Sequence, residues 1–442
     1  MKINNSTYIS ALLAALTTAA HSQTVIHIAA SGGDRAPVQT AISNMLDPGW
    51  TFQGINGSTS STASGAVALT TKTNFGAWKG TYAGNPVVIK IGFAGALAAV
   101  SALSGNVAQR FVVTDGTGSG AVPNPLNGTN LGVDYELSQA DFGFSTCFQS
   151  TTPFNGVYQG ITYSPLIEEV VAITPTAFYA STGFPAASAN ITTQQAQLLY
   201  TSGSMSLAQF TGDFQNDANK IVYAIGRNTD AATHFSVPAE FSLSANILVK
   251  NWQPTITGTT TVSGITYGGT ANSQQLWPAE TVSGIYSPLG NSGYNSGPGL
   301  AAVLTATLGV NAYKCQYFDE DTQTTQFLYP NATAGYYIGY LPLNDGNTGV
   351  VGSAVPLANR GVPLSYNGVP LTTANLSNGK YTAWLYSRMD RRQTPLTGLY
   401  LTFANTLRDQ IINTDAIQGG NLKNDASFFV MRNTDGGLVL PK

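Results

Sequence analysis

Stretches crowded with β-branched and aromatic residues alternate along this chain with stretches whose apolar residues recur every three or four positions. TVIHIAA at 24–30 predicts a strand, SGGDRAP a glycine turn, and Val38, Ala41, Ile42 and Met45 a helix, with Pro37 in its first turn and Asp34 placed to cap it. The unit recurs as PVVIKI at 86–91, then a glycine turn and an Ala-rich helix in GFAGALAAVSALSG. ADFGFST at 140–146 and EVVAI at 169–173 predict two further strands. ITTQQAQLLY at 191–200 is a helix with Thr192 or Thr193 as its cap, and SLAQF at 206–210 adds another helical turn. Further on come an Ala/Leu helix over 298–308, a tyrosine-rich strand at 335–340, a helix from 394 to about 413 and a closing strand at 428–431. Between these units, 114–132 predicts a surface loop, and the Thr/Gly alternation of 251–293 a β-hairpin insertion that decorates the fold. Pattern alone therefore predicts an α/β chain.

The stretch that draws chemistry to itself is IVYAIGRNTDAATH at 221–234. Val222, Tyr223 and Ile225 suit a buried strand; Arg227 offers a positive fork; Asn228, Thr229 or Asp230 is placed to cap a helix whose free N–H groups would face an oxyanion. The bland alternative is a plain turn whose Arg227 pairs with a surface carboxylate.

Composition changes this picture in one respect. Only 9% of the 442 residues are charged, against about 25% in an average soluble protein. Gly, Tyr and hydroxylated residues replace them, as in many exported proteins. The net charge is −3 and the basic residues form no cluster beyond Arg388, Arg391 and Arg392, so a nucleic-acid footprint is absent and nucleic acid is not expected as a partner. Lys2, an apolar run over 9–20 and small residues at Ala20 and Ser22 predict a signal peptide over residues 1–22, cleaved near Ser22. The run is too short to span a membrane, so the mature chain is expected to be secreted, periplasmic or extracellular, and not membrane-spanning. Cys147 and Cys315 are as compatible with two buried thiols as with a disulfide. His27 and His234 lack any metal-ligand spacing, so no metal is expected, and no cofactor either. Ser145 and His234 could be imagined as nucleophile and base, but there is no G-x-S-x-G elbow, and Glu168-Glu169 and Asp319-Glu320-Asp321 read as solvated loop charges. The chain is not expected to be an enzyme.

Several stretches, in order, resemble the phosphate-binding branch of the type II periplasmic solute-binding proteins. AASGGDRAPV (29–38) is similar to that family's first ligand loop, GFAGALAAV (92–100) to its second, and ADFGFST (140–146) to its Ala-Asp-x-x-x-Ser-Asp segment. GRNTDAAT (226–233) is similar to its Arg-x-x-Asp-Ser-Gly-Thr turn, AGYYIGY (334–340) to its Gly-x-Ile-Gly-Tyr strand and NGKYTAW (378–384) to its Gly-Lys-Tyr-Pro segment. The resemblance implies two doubly wound α/β lobes, with Gly/Thr/Ser-rich hairpin and loop insertions: 23–165 plus 342–442 as lobe one and 166–341 as lobe two. It also implies a ligand set of Gly33, Asp34, Ala94, Ser145, Thr146, Arg227, Asp230 and Thr233. Ala231 and Ala232 stand where the turn has Ser and Gly, and Thr146 stands where the third segment has Asp. With no carboxylate at Thr146, a fully ionised oxyanion such as sulfate is not repelled there.

Two functions follow as expectations. One is an exported, non-catalytic solute-binding protein that holds phosphate or another small oxyanion in an interlobe cleft and serves an ABC permease. The other is a secreted surface or structural protein on the same scaffold, self-associating, with a vestigial ligand site.

Overall fold

The computed structural model describes residues 23–56, 59–64, 73–93, 95–118 and 120–442. The signal-peptide segment and Ala94 therefore lie outside the described residues. In chain order the elements that place the site are β1 (Thr24–Ala30), α1 (Arg35–Met45), β2 (Thr51–Asn56), β3 (Thr59–Ser64), β4 (Phe75–Tyr82), β5 (Asn85–Gly92), α2 (Ala96–Ser104), β6 (Phe142–Ser145), β7 (Leu166–Ala180), α3 (Thr193–Ser202), β8 (Ser204–Ser206), β9 (Lys220–Ala224) and α4 (Ala232–Glu240). They continue with β10 (Glu280–Val282), β11 (Ile285–Ser287), α5 (Gly297–Val303), β12 (Ala334–Pro342), α6 (Leu343–Gly349), β13 (Val362–Tyr366), β14 (Trp384–Arg392) and α7 (Gly398–Asn413).

One mixed sheet runs through the molecule in the order β8-β9-β12-β7-β14-β6-β1-β5-β4-β2-β3. β1 is parallel to both β5 and β6, as strand–turn–helix units require, and β9 is parallel to β12. Two long strands join the halves. β7 pairs antiparallel with β14 from Leu166 to Pro175, then with β12 from Thr176 onward, and β13 joins it at Phe178 to Ala180. The register between β7 and β14 shifts at a bulge between Val170 and Ala172.

Each half buries its own core. In the first, Ile26, Ile28, Ile42, Trp78, Ile89, Phe144, Phe403 and Leu407 close the space between the sheet and α1 with α7. In the second, Phe178, Tyr200, Val222, Phe241, Ile338, Tyr340 and Tyr366 do the same. Tyr337 and Tyr340, on the strand read from its tyrosines, are fully buried packing residues.

Several local expectations need correction. Asp34 caps nothing, because its carboxylate is turned inward; Ser31 Oγ accepts the Asp34 N–H instead, at 3.2 Å. None of Asn228, Thr229 and Asp230 caps α4, whose N-cap is Ala231 with no side-chain bond. The Ala/Leu helix stops at Val303, and Thr307–Leu308 is already a strand. Glu168 and Glu169 are not loop charges: they sit on β7, and Glu169 pairs with Arg391 and, at 2.7 Å, with Arg408. Thr192 does cap α3, in a reciprocal box with Gln195. Cys147 and Cys315 are both free and buried. No helix among the described residues is long and apolar enough to cross a membrane.

Candidate functional site

The ends of β1, β6 and β9 and the starts of α1, α2 and α4 meet where the two halves of the sheet adjoin. At the start of α1, Ser31 and Ser387 donate their hydroxyls to the two oxygens of Asp34, which is 0% exposed. Burial raises this carboxyl from 3.8 to about 6, against the two hydroxyls and the charge of Arg388. Gly33 is exposed beside it, and a Cβ there would lie 3.5 Å from Thr146 Cγ2. Ser145 is buried at the end of β6 and donates to the Cys147 carbonyl at 3.2 Å.

The carboxylate of Asp230 rests on Gly95, the residue before α2, so closely that a methyl group at Gly95 would overlap it. The Asp230 carbonyl accepts the Leu97 N–H at 3.3 Å. Burial raises this carboxyl to about 6, while the Ser283 hydroxyl, the Ala98 N–H and the charge of Arg227 pull it down. An acid from the second half of the sheet thus lies on the helix start where the second ligand loop was expected.

Arg227 is only partly exposed, and its fork is engaged with neutral acceptors. Nε donates to the Tyr294 carbonyl at 3.0 Å and a terminal nitrogen to that of Asn295 at 3.3 Å. His234 Nδ1 donates to the Arg227 carbonyl at 2.8 Å; burial holds this imidazole down at about 4, so it is neutral at pH 7. Ser145 and His234 therefore each have another partner, and no nucleophile–base bond joins them. Thr233 Oγ1 is buried with no hydrogen-bond partner among the described residues.

The Thr/Gly-rich insertion, expected to be decoration, covers this place. Ile285 on β11 packs with Ala96, Leu97 and Val100 of α2, Ala232 and Phe235 of α4, and Cys147. Ser287 donates to Thr229 at 3.0 Å, and Ser283 at the hairpin tip reaches Asp230.

Two further residues belong here although the ligand set omitted them. Arg35, at the start of α1, donates to Asn74 at 2.7 Å and lies 5.6 Å from the Phe93 ring centroid. Asp345, in the first turn of α6, presses its carboxylate onto Gly297. Burial lowers the pKa of both Arg35 and Arg227, and in both Asp345 is the first opposing charge. Arg35 follows Asp34 directly in the first loop; Asp345 lies just past the tyrosine strand, with no local signal that its charge acts on either arginine.

The structure thus brings Gly33, Asp34 and Thr146 together at the start of α1, and sets Arg227, Asp230 and Thr233 in the turn and first residues of α4, with Asp230 against the start of α2; Ser145 ends β6. It turns Asp34 and Ser145 toward protein partners. Positive charge, neutral hydroxyls and the Asp230 carboxyl with its raised pKa can bind and orient an anion or pass it a hydrogen bond.

No family model matches this sequence, and no curated protein matches it. Among solved structures it is similar to a putative phosphate ABC transporter substrate-binding protein with bound phosphate from Clostridium perfringens, at 13% identity and a TM-score of 0.40, over 91% of this chain and 100% of that one. It is also similar to an ABC-type phosphate transport receptor from Vibrio cholerae, at 11% identity and 0.38, over 76% and 88%. PstS from Borrelia burgdorferi aligns at 10% and 0.36, over 91% and 99%.

Proposed function

We propose that this chain is an exported, non-catalytic solute-binding protein that holds phosphate or a related small oxyanion between two lobes, 23–165 with 342–442 and 166–341, and delivers it to an ABC permease. The observation that carries the reading is the turn after β9, which holds a partly buried Arg227, a buried Thr233 hydroxyl with no hydrogen-bond partner among the described residues, and Asp230 against the start of α2. Gly33, Thr146 and Thr233 would line the ligand. Asp230, its carboxyl raised to about 6, would share a proton with it, while Asp34 holds the loop from beneath through Ser31 and Ser387.

Calorimetry of the mature chain with phosphate, sulfate and arsenate tests this. Binding should weaken about tenfold or more in Arg227→Ala, since a hydrogen bond to a charged group is worth roughly 1.5–3 kcal/mol. Absence of heat with every oxyanion would reject the reading.

A second reading is favoured by Asp230 on the start of α2 and by the hairpin over it. On that reading the seam is filled by the chain itself, the ligand site is vestigial, and the protein acts by self-association. It expects concentration-dependent oligomers in gel filtration, unaltered by Arg227→Ala; a monomer that binds phosphate at micromolar concentration excludes it.

A further inference from the structure

We propose that the C-terminal segment 432–436 is a clasp that positions both sides of the oxyanion site at once: it holds the loop after β6 that carries Thr146, and it holds the far end of α4, whose start carries Thr233. This rests on the oxyanion reading above and adds to it three positioning residues, Arg432, Asp435 and Gly436.

The segment lies close to the end of the chain and is nevertheless built into the interior. The side chain of Arg432 is 0% exposed and pairs with Glu240, the last residue of α4, whose side chain is 5% exposed. Its other terminal nitrogen donates to the Thr382 carbonyl, and its guanidinium lies 4.1 Å from the Trp384 ring centroid. Gly436, at a φ of +65°, rests on the same end of the helix, where a Cβ would overlap the Ala239 carbonyl. Between these two anchors the buried carboxylate of Asp435 turns the other way and accepts the Phe148 N–H at 2.7 Å. Five consecutive residues thus grip a helix from the second half of the sheet and a loop from the first.

Both grips lie within reach of the site. Glu240 is seven residues beyond Thr233, about two turns of one helix, and α4 has no side-chain bond at its N-cap to fix its start by itself. Phe148 is two residues beyond Thr146. Its ring lies under Arg388, and the next N–H, that of Gln149, goes to Glu168 on β7 at 2.8 Å, so these two contacts tie the loop to the sheet. Cys147 packs with Ala232 and Phe235 near the helix start. To that apolar contact the clasp adds a directed bond at one end and a buried ion pair at the other, which fix the distance between the loop and α4.

Amide hydrogen exchange and calorimetry with inorganic phosphate, on the mature chain and on Asp435→Ala, test this. Exchange should become about tenfold faster in both 145–149 and 232–240 while 24–30 is unchanged, and phosphate should bind about tenfold more weakly. Asp435→Asn, which keeps an acceptor oxygen for the Phe148 N–H, should restore both, as a residue needed only for its charge would not. Glu240→Gln serves if Asp435→Ala fails to fold, and should loosen the same two segments. Faster exchange confined to one of the two segments, or unchanged phosphate affinity in a folded variant of a chain that binds phosphate, overturns the clasp and leaves the oxyanion reading intact. No heat from the natural chain with any oxyanion overturns that reading; joint loosening of the two segments then still supports the clasp, and separate loosening overturns it too.

Discussion

Two arginines of this molecule are withdrawn from water in opposite ways. Arg227 has neutral partners, the carbonyls of Tyr294 and Asn295, at 3.0 and 3.3 Å. Arg388, on β14 between the two halves of the sheet, has a 0% exposed side chain, and none of its three guanidinium nitrogens makes a hydrogen bond among the described residues. It stacks over the Phe148 ring at 4.1 Å, with Glu168 Oε1 3.3 Å from its Nε. Its charge also lowers the pKa of Asp34, Asp390 and Asp435, all buried. One arginine is held by directional bonds that shape a turn. The other is held by Coulomb attraction to a ring of acids, in a place where no water screens it.

The difference should be largest in stability. Arg388→Ala would leave the buried Asp34 and Asp435 and the nearby Glu168 without a cation, and is expected to cost about 3–5 kcal/mol in urea unfolding. Arg388→Met, which keeps a long side chain over Phe148, should recover part of that through packing. A loss below about 1 kcal/mol in Arg388→Ala would mean that the surrounding acids are already neutral and need no counter-ion.

Arg388 also shows where sequence reading stopped. The cluster Arg388, Arg391 and Arg392 is visible in the chain, but the alternation of a strand sends the three to different surroundings. Arg388 enters the seam, Arg391 meets Glu169 on the opposite face, and Arg392 donates to the Ala140 and Ala102 carbonyls. The strand–turn–helix units were legible because their signal is local: TVIHIAA is the strand Thr24–Ala30, and the helix expected over 394–413 is Gly398–Asn413. Thr192 was legible as a cap for the same reason, its partner Gln195 being three residues away. Asp34 was not, because the hydroxyl that turns it inward belongs to Ser387, 353 residues further on. The hairpin Glu280–Ser287 reads as surface from its Thr and Gly content, and only folding shows Ile285 buried between α2 and α4. Contacts between distant segments leave no periodicity to find.

A smaller effect is expected at the motif arginine. Arg227→Ala removes two charge-assisted bonds to carbonyls that can turn to water, so its cost should be about 1.5–3 kcal/mol, less than that of Arg388→Ala. Urea unfolding of the two variants under one buffer decides the order. Should Arg227→Ala prove the more destabilising, the turn at 226–230 and the insertion it holds would be the keystone, and the acid ring a minor feature.

The smallest effect is in pH dependence, and it separates the two environments most cleanly. Burial pushes Asp390 from 3.8 up to about 8, against the attraction of Arg388; Glu168, Asp34 and Ser145 are its other close polar neighbours. Between those values the folded chain keeps a proton that the unfolded chain releases. The stability from this group is therefore complete below about pH 4 and lost as pH rises through about 8. Glu240, raised to about 7 beside Arg432, and Asp34 and Asp230, raised to about 6, act in the same direction over shorter windows. His234, lowered from 6.5 to about 4, acts oppositely, its stabilisation fading as pH falls through that interval. Above about pH 6 the histidine contributes little slope, so the chain should lose stability toward about pH 8. Asp390→Asn should flatten that slope by on the order of 1 kcal/mol over the interval, whereas Arg227→Ala, which frees Asp230 from a nearby positive charge, should not flatten it. Equal slopes in the natural chain and Asp390→Asn would show that Asp390 is ionised in the fold, and that Arg388 has, in that carboxylate, as firm a partner as Arg227 has in its carbonyls.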